Sequence, residues 1–337
     1  IVPFFSLHLG NADAGTDPHT HTTYKAYSLL SKGFGPGFNG PLQIVAPINS
    51  PSDVANMNHL AQVVRAKTQV AFVSPLLVSA DHRVALLNVV QTSSPSDIAT
   101  SDLIKELRKV TVPSVTDGTK THAYVGGATA IFDDFALTLT NKLPLFIGVI
   151  VLLGCILLMI AFRSLLIPAT AALMNLLAAG ASFGVVVAIF QWGWGGSVLN
   201  VGSGPIESFL PVIMIAILFG LSMDYQVFLV SRMHEEWVHT SDNRRSVIRG
   251  QADTGRVITA AALIMISVFF AFVFGGERII AEFGIGLGGA VFLDAFILRT
   301  ILVPALMHLF GKSNWWLPGW MDRKLPHLAV EAPDESN

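Results

Sequence analysis

Asp224 and Tyr225 stand side by side deep in an apolar run, 206–231. If Arg232 marks one membrane interface, a rise of about 1.5 Å per residue carries Asp224 roughly 12 Å inward, near the middle of a hydrocarbon core about 30 Å thick. A carboxylate at that depth is costly and is read as functional by default. A carboxylate that alternates between dry and wet surroundings can load and release a proton, so proton transfer is the chemistry expected of Asp224. The other reading is a carboxylate that only pairs with a neighbouring helix to pack. Tyr225, about 100° further round the same helix, either donates to a carboxylate on a facing helix or serves as a polar packing group. Asp294 is a second candidate, five residues before Arg299 and able to pair with it near the interface.

Two other patterns point to chemistry and lose it on context. Gly35-Pro36-Gly37-Phe38-Asn39-Gly40 matches the dinucleotide fingerprint by letter. That fingerprint must follow a strand and open a helix, whereas this segment is flanked by Pro36 and Pro41 and precedes a strand, so a structural loop is expected. His19 and His21, with Asp13 and Asp17, are of metal-binding type, but their spacing fits no four-ligand site and a solvated loop is expected instead. No nucleophile and base pair stands out and no GxxxxGK[ST] motif occurs, so neither an enzyme nor ATP hydrolysis is indicated, and no cofactor or metal is implied.

The elements that carry Asp224 follow from composition. The chain of 337 residues is 52% hydrophobic and 13% charged, with mean hydropathy +0.59, far from an ordinary soluble domain. The net charge of −2 gives no basis for nucleic-acid binding. Cys155, the single cysteine, excludes an internal disulfide. Five membrane spans are expected, at 143–162, 165–190, 206–231, between Arg256 and Glu277, and at 279–306. The glycines Gly284, Gly286, Gly288 and Gly289 should let neighbouring helices approach closely. Residues 1–9 read as the end of a truncated membrane helix.

Short loops rich in Lys and Arg favour the cytoplasm. Arg163, the loop with Arg232, Arg244, Arg245, Arg249 and Arg256, and the tail with Lys312, Arg323 and Lys324 share one side, which leaves Glu207, Glu277, Arg278 and Glu282 on the other. Residues 10–141 are then extracytoplasmic and the tail, 312–337, cytoplasmic, with Trp315, Trp316 and Trp320 as an interfacial anchor. Residues 10–141 alternate as strand 42–46, helix 52–67, hairpin strands 70–78 and 84–92 about Asp81-His82, helix 96–110, strand 122–125, and a helix from 128 into the first span. This β-α-β-β-α-β order is that of a ferredoxin-like α+β subdomain. The expected protein is therefore mainly α-helical, with a five-helix membrane domain at 142–311.

The run Phe219-Gly220-Leu221-Ser222-Met223-Asp224-Tyr225-Gln226-Val227-Phe228-Leu229-Val230-Ser231-Arg232 resembles the signature of the MMPL (mycobacterial membrane protein large) family, in the resistance-nodulation-division superfamily. Supporting matches are 33–42, Phe274-Gly275-Gly276-Glu277-Arg278, Leu293-Asp294-Ala295 with Arg299-Thr300, Val303-Pro304-Ala305-Leu306, and Asn314-Trp315-Trp316-Leu317-Pro318, so the resemblance covers essentially the whole chain. It implies the second half of a two-half, proton-driven exporter, each half holding a membrane helix, a porter subdomain and five further helices. It also implies that Asp224 and Tyr225 are the tenth-helix pair of a four-residue proton relay. The fourth-helix pair has no counterpart in this sequence, so an upstream half or a partner chain is expected to supply it. Membrane lipids and a hydrophobic cargo are the implied ligands. Drug efflux, or a non-transporting scaffold or lipid sensor, are the alternatives.

Overall fold

The computed structural model describes residues 2–194 and 202–323, which fall into two compact units: residues 8–140 with 202–208, and residues 2–7 with 141–194 and 209–323. Ile1, Lys324 and the rest of the expected tail lie outside the described residues.

The first unit carries strands β1 (Leu9–Gly10), β2 (Leu42–Pro47), β3 (Val70–Val73), β4 (Leu77–Val78), β5 (Val84–Gln91), β6 (Tyr124–Gly126) and β7 (Ile206–Glu207). Its helices are α1 (Thr22–Phe34), α2 (Pro51–Arg65), α3 (Ile98–Glu106) and α4 (Val112–Thr116), and the N-terminal part of α5 (Ala128–Phe162). The main sheet runs β3-β5-β2-β6 with every pairing antiparallel, which is the ferredoxin-like order reached by two split β-α-β crossovers. Leu42, Ile44 and Ala46 alternate inward along β2, and Leu87 and Val89 do so along β5. Met57, Leu60, Ala61 and Val64 recur at helical spacing on α2 and close the core from one face. The strand expected over 70–78 is broken after Val73, where Pro75 has no N–H to give the ladder. The helix expected over 96–110 continues from α3 through a π turn, Leu107–Thr111, into α4.

The Asp53 carboxylate fastens the start of α2. It accepts from the Asn49 and Ser50 backbone N–H groups at 2.9 and 2.8 Å, and from the Thr121 hydroxyl at 2.6 Å. The Thr121 bond, with the Asn49 N–H next, holds its pKa down at about 2. A depressed carboxylate stabilises the fold above its unfolded value of about 4, and that contribution disappears as pH falls through the folded value. Asp53→Ala is expected to lower the stability of this unit by about 1–2 kcal/mol and to flatten its pH dependence between about 4 and 2, read by thermal melts across that range.

The glycine-rich segment is accounted for by packing. Gly35, at φ 104°, ends α1 and leads into a 3-10 turn, Pro36–Asn39, before β2. A Cβ on Gly37 would lie 1.8 Å from the Gln91 carbonyl oxygen, and one on Gly40 would lie 2.5 Å from Thr129 Oγ1.

Among the described residues, five helices in the chain are long and apolar enough to cross a membrane: α5, the stretch from α6 (Leu166–Val186) to Gln191, α7 (Leu210–Thr240), α8 (Asn243–Val273), and the stretch that α9 (Arg278–Phe292) opens and that runs to Trp315. The third starts at Leu210 rather than 206, because Ile206 and Glu207 form a strand parallel to β1, and this leaves Glu207 outside the span. Val2–Ser6 is a 3-10 helix. The glycines of α9 divide by face: Cβ atoms on Gly284 and Gly288 would meet Phe269 and Phe270 of α8, and one on Gly286 would meet Met214 of α7, while Gly289 faces open space. Most apolar side chains of α5 and α8 point away from the other helices, as lipid-facing positions do, whereas those of α6 are mostly buried.

Candidate functional site

Helix α7 carries two polar settings on opposite sides. Ser222 and Gln226, one turn apart, lie in its buried row with Leu218, Leu229 and Met233. Asp224 is two residues from each, about 200° round the helix, and is exposed, beside Val227, Phe228, Ser231 and Arg232. Tyr225 lies between the two sides. Its hydroxyl donates to the Met265 sulfur of α8 at 3.0 Å, and its ring takes the Arg299 guanidinium 5.6 Å from the centroid.

The buried side is built around Arg299. Its Nε donates to Asp294 Oδ2 at 2.9 Å, its Nη1 to Gln226 Oε1 at 3.0 Å, and its Nη2 to both the hydroxyl and the carbonyl oxygen of Ser222. The Ser222 hydroxyl then bonds Asn175 Oδ1 on α6, so one polar chain ties three helices. Asp294 and Arg299 are almost fully enclosed. They meet because Leu293–Leu302 is a π-helix, whose bonds run to the fifth residue back and set positions five apart on one face. The Thr300 hydroxyl bonding the Ala295 carbonyl follows the same spacing. A void of about 10 Å³, bordered by Asn175, Ser222, Tyr225 and Asp294, is close to the lower limit for one water.

Asp224 and Tyr225 are therefore adjacent in chain but turned to different surroundings, and Asp294 lies with Tyr225 at the Arg299 cluster. Ser222, Gln226 and Asn175 were not singled out from sequence. Their signal was a polar side chain in an apolar run, with Ser222 and Gln226 at i and i+4. Arg278 and Glu282, read from sequence as charges of a short connection, instead form a buried ion pair of 3.1 Å on α9, with Arg278 packed over the Phe190 ring. The His19 ring packs against that of Tyr24 at 4.3 Å with a 31° tilt, Asp17 accepts from Thr23, and Asp13 accepts from Tyr27 and Ser96. Among the described residues no group of three or more His, Cys, Asp or Glu gathers as metal ligands would. Trp315 stacks on Trp237 at 5.7 Å, while Trp316 and Trp320 stay exposed.

Membrane-length helices bearing an outward carboxylate and a buried ion-pair cluster, together with a ferredoxin-like α+β unit, are the make-up of a multi-pass membrane protein. The chain belongs to the MMPL family, whose profile matches residues 49–328. It is 38% identical to membrane protein YdfJ of Bacillus subtilis, over 98% of this chain and 45% of that protein. It is 33% identical to the mycolic acid-containing lipids exporter MmpL11 of Mycolicibacterium smegmatis, over 98% of this chain and 35% of that protein. With the trehalose monomycolate exporter MmpL3 of the same organism it shares 39% identity over 63% of this chain and 21% of that protein. The chain thus spans less than half the length of these relatives.

Proposed function

We propose that the chain acts as one half of an exporter, driven by the proton gradient, that moves lipids or other hydrophobic compounds across the cytoplasmic membrane. The observation that carries this reading is the position of Asp224: a carboxylate on the outer surface of a membrane-length helix, on the side opposite the sealed Arg299 cluster. Left against lipid, such a group costs several kcal/mol. A second set of helices covering it removes that cost and gives it a partner whose hydrogen bonding depends on protonation. In this reading Asp224 carries the proton and Tyr225, joined to Arg299 and Met265, passes the change to the helices behind it. Asp294 and Arg299 hold those helices in register.

The cargo class is supported by the names of the relatives MmpL11 and MmpL3, both lipid exporters. Arg232 near the end of α7 and Arg244, Arg245, Arg249 and Arg256 at the start of α8 support an orientation with the turn between these helices and the C-terminus cytoplasmic and with residues 10–141 extracytoplasmic as the porter subdomain. The test is export of a labelled lipid panel from vesicles under an imposed proton gradient, holding this chain alone or with a complementary upstream half carrying its own Asp-Tyr helix. Export from the two together and not from the chain alone is the expected result. Export in neither form, with both chains folded, favours a scaffold that binds lipid without moving it.

A further inference from the structure

The first unit holds a cavity of about 380 Å³, within the range of small-ligand sites, between α1, the turn before α3 and the first two turns of α5. Leu30, Phe132 and Ala136 give it an apolar wall. Its polar wall holds two carboxylates, Asp13 and Asp133, and among the described residues no lysine or arginine lines it.

The two carboxylates differ. Asp13 is satisfied: it accepts from the Tyr27 hydroxyl and the Ser96 hydroxyl, each at 2.9 Å, and from the Gly15 N–H at 3.0 Å. Asp133 has a buried Oδ2 that accepts no hydrogen bond among the described residues. The nearby Arg108 guanidinium is engaged by the adjacent Asp134, with one of the two bonds at 2.8 Å, and does not line the cavity. His8 lines it, but burial pushes that imidazole below its ordinary value, against the opposing pull of Asp133, so at neutral pH it adds no fixed positive charge. A buried carboxylate oxygen without a donor is an expensive arrangement, and a donor brought by a ligand relieves it.

We infer that this cavity is a headgroup site for an amphiphile whose head donates hydrogen bonds and bears no negative charge, with Asp133 as the acceptor and the Leu30–Phe132–Ala136 wall taking the start of the chain. Hydroxyl and ammonium heads share that donor chemistry. Phosphate heads do not: they bring acceptors and negative charge to a site lined with carboxylates and without a cation. The inference rests on the reading of this unit as the part that handles cargo, and it narrows that cargo by charge.

The test is binding, without any gradient, of hexyl glucoside, hexylammonium and hexyl phosphate to the full chain in phosphatidylcholine nanodiscs, followed by calorimetry. Hexylammonium and hexyl glucoside are expected to bind at least tenfold more tightly than hexyl phosphate. Asp133→Asn, which keeps the shape, is expected to weaken hexylammonium about tenfold and hexyl glucoside less. Ala26→Phe, on an exposed position of α1 that borders the cavity, is expected to fold normally and to block both. Equal binding of hexyl phosphate, or binding indifferent to both substitutions, overturns the assignment. Because no transport is measured, that failure leaves the Asp224 export reading standing, and loss of gradient-driven export leaves this binding test unaffected.

Discussion

Arg299→Met is expected to destabilise the helical unit by about 3–5 kcal/mol, read as a large drop in the detergent-solubilised melting temperature. The magnitude follows from what remains when the guanidinium goes. Asp294 is left enclosed with a charge and no partner, and the Gln226 and Ser222 oxygens lose their donors together. Arg299→Lys is expected to rescue little, because a point ammonium cannot reach Asp294, Gln226 and Ser222 at once as the planar fork does. Removing both ends, with Asp294→Leu and Arg299→Met, is expected to be less damaging than Arg299→Met alone, since no buried charge is stranded. A single variant that melts with the parent protein would show that the cluster does not tie the helices.

Asp224→Asn is expected to behave in the opposite way: export falls to background, while stability changes by no more than about 0.5 kcal/mol. Asp224 is exposed and joins no bond of the Arg299 cluster, so its neutral isostere removes nothing that holds this chain together. Membrane insertion and melting temperature should match the parent protein, which separates loss of the proton carrier from loss of fold. Export retained by a well-folded Asp224→Asn chain would remove the proton-carrying role and leave the carboxylate as a packing group.

The sequence revealed elements and lone charges better than partners. Uncharged runs of membrane length placed the spans, because nothing else satisfies a backbone in lipid, and the strand and helix order of residues 42–126 anticipated the ferredoxin-like sheet. Asp224 stood out for the same reason, as a charge in an apolar run. Helix α1 was missed: its Thr, Tyr and Ser content gives little apolar periodicity, and it is held by contacts a sequence does not show, among them the Gly35 turn, the Asn39 amide bonded to Ser31 and the Tyr27 carbonyl, and the Tyr27 hydroxyl bonded to Asp13. The Asp294–Arg299 pair was visible as a possibility, but its depth was not, because five-residue spacing misses one face of an α-helix and meets only where the chain turns π-helical. Ser222, Gln226 and Asn175 become a cluster only once three helices pack. The burial of Arg278 with Glu282 likewise depends on neighbours that a charge count cannot see.

The central claim is that protonation of Asp224 is coupled to movement of a hydrophobic cargo. Its most direct test is to record proton influx and labelled-lipid export together, in the same vesicles, from the assembled two-half protein and its Asp224→Asn variant. The account predicts that the two fluxes rise and fall together with the imposed gradient in the parent protein, and that both vanish in the variant. Lipid export that continues after the gradient is collapsed, or that proceeds in the variant without proton movement, would contradict it.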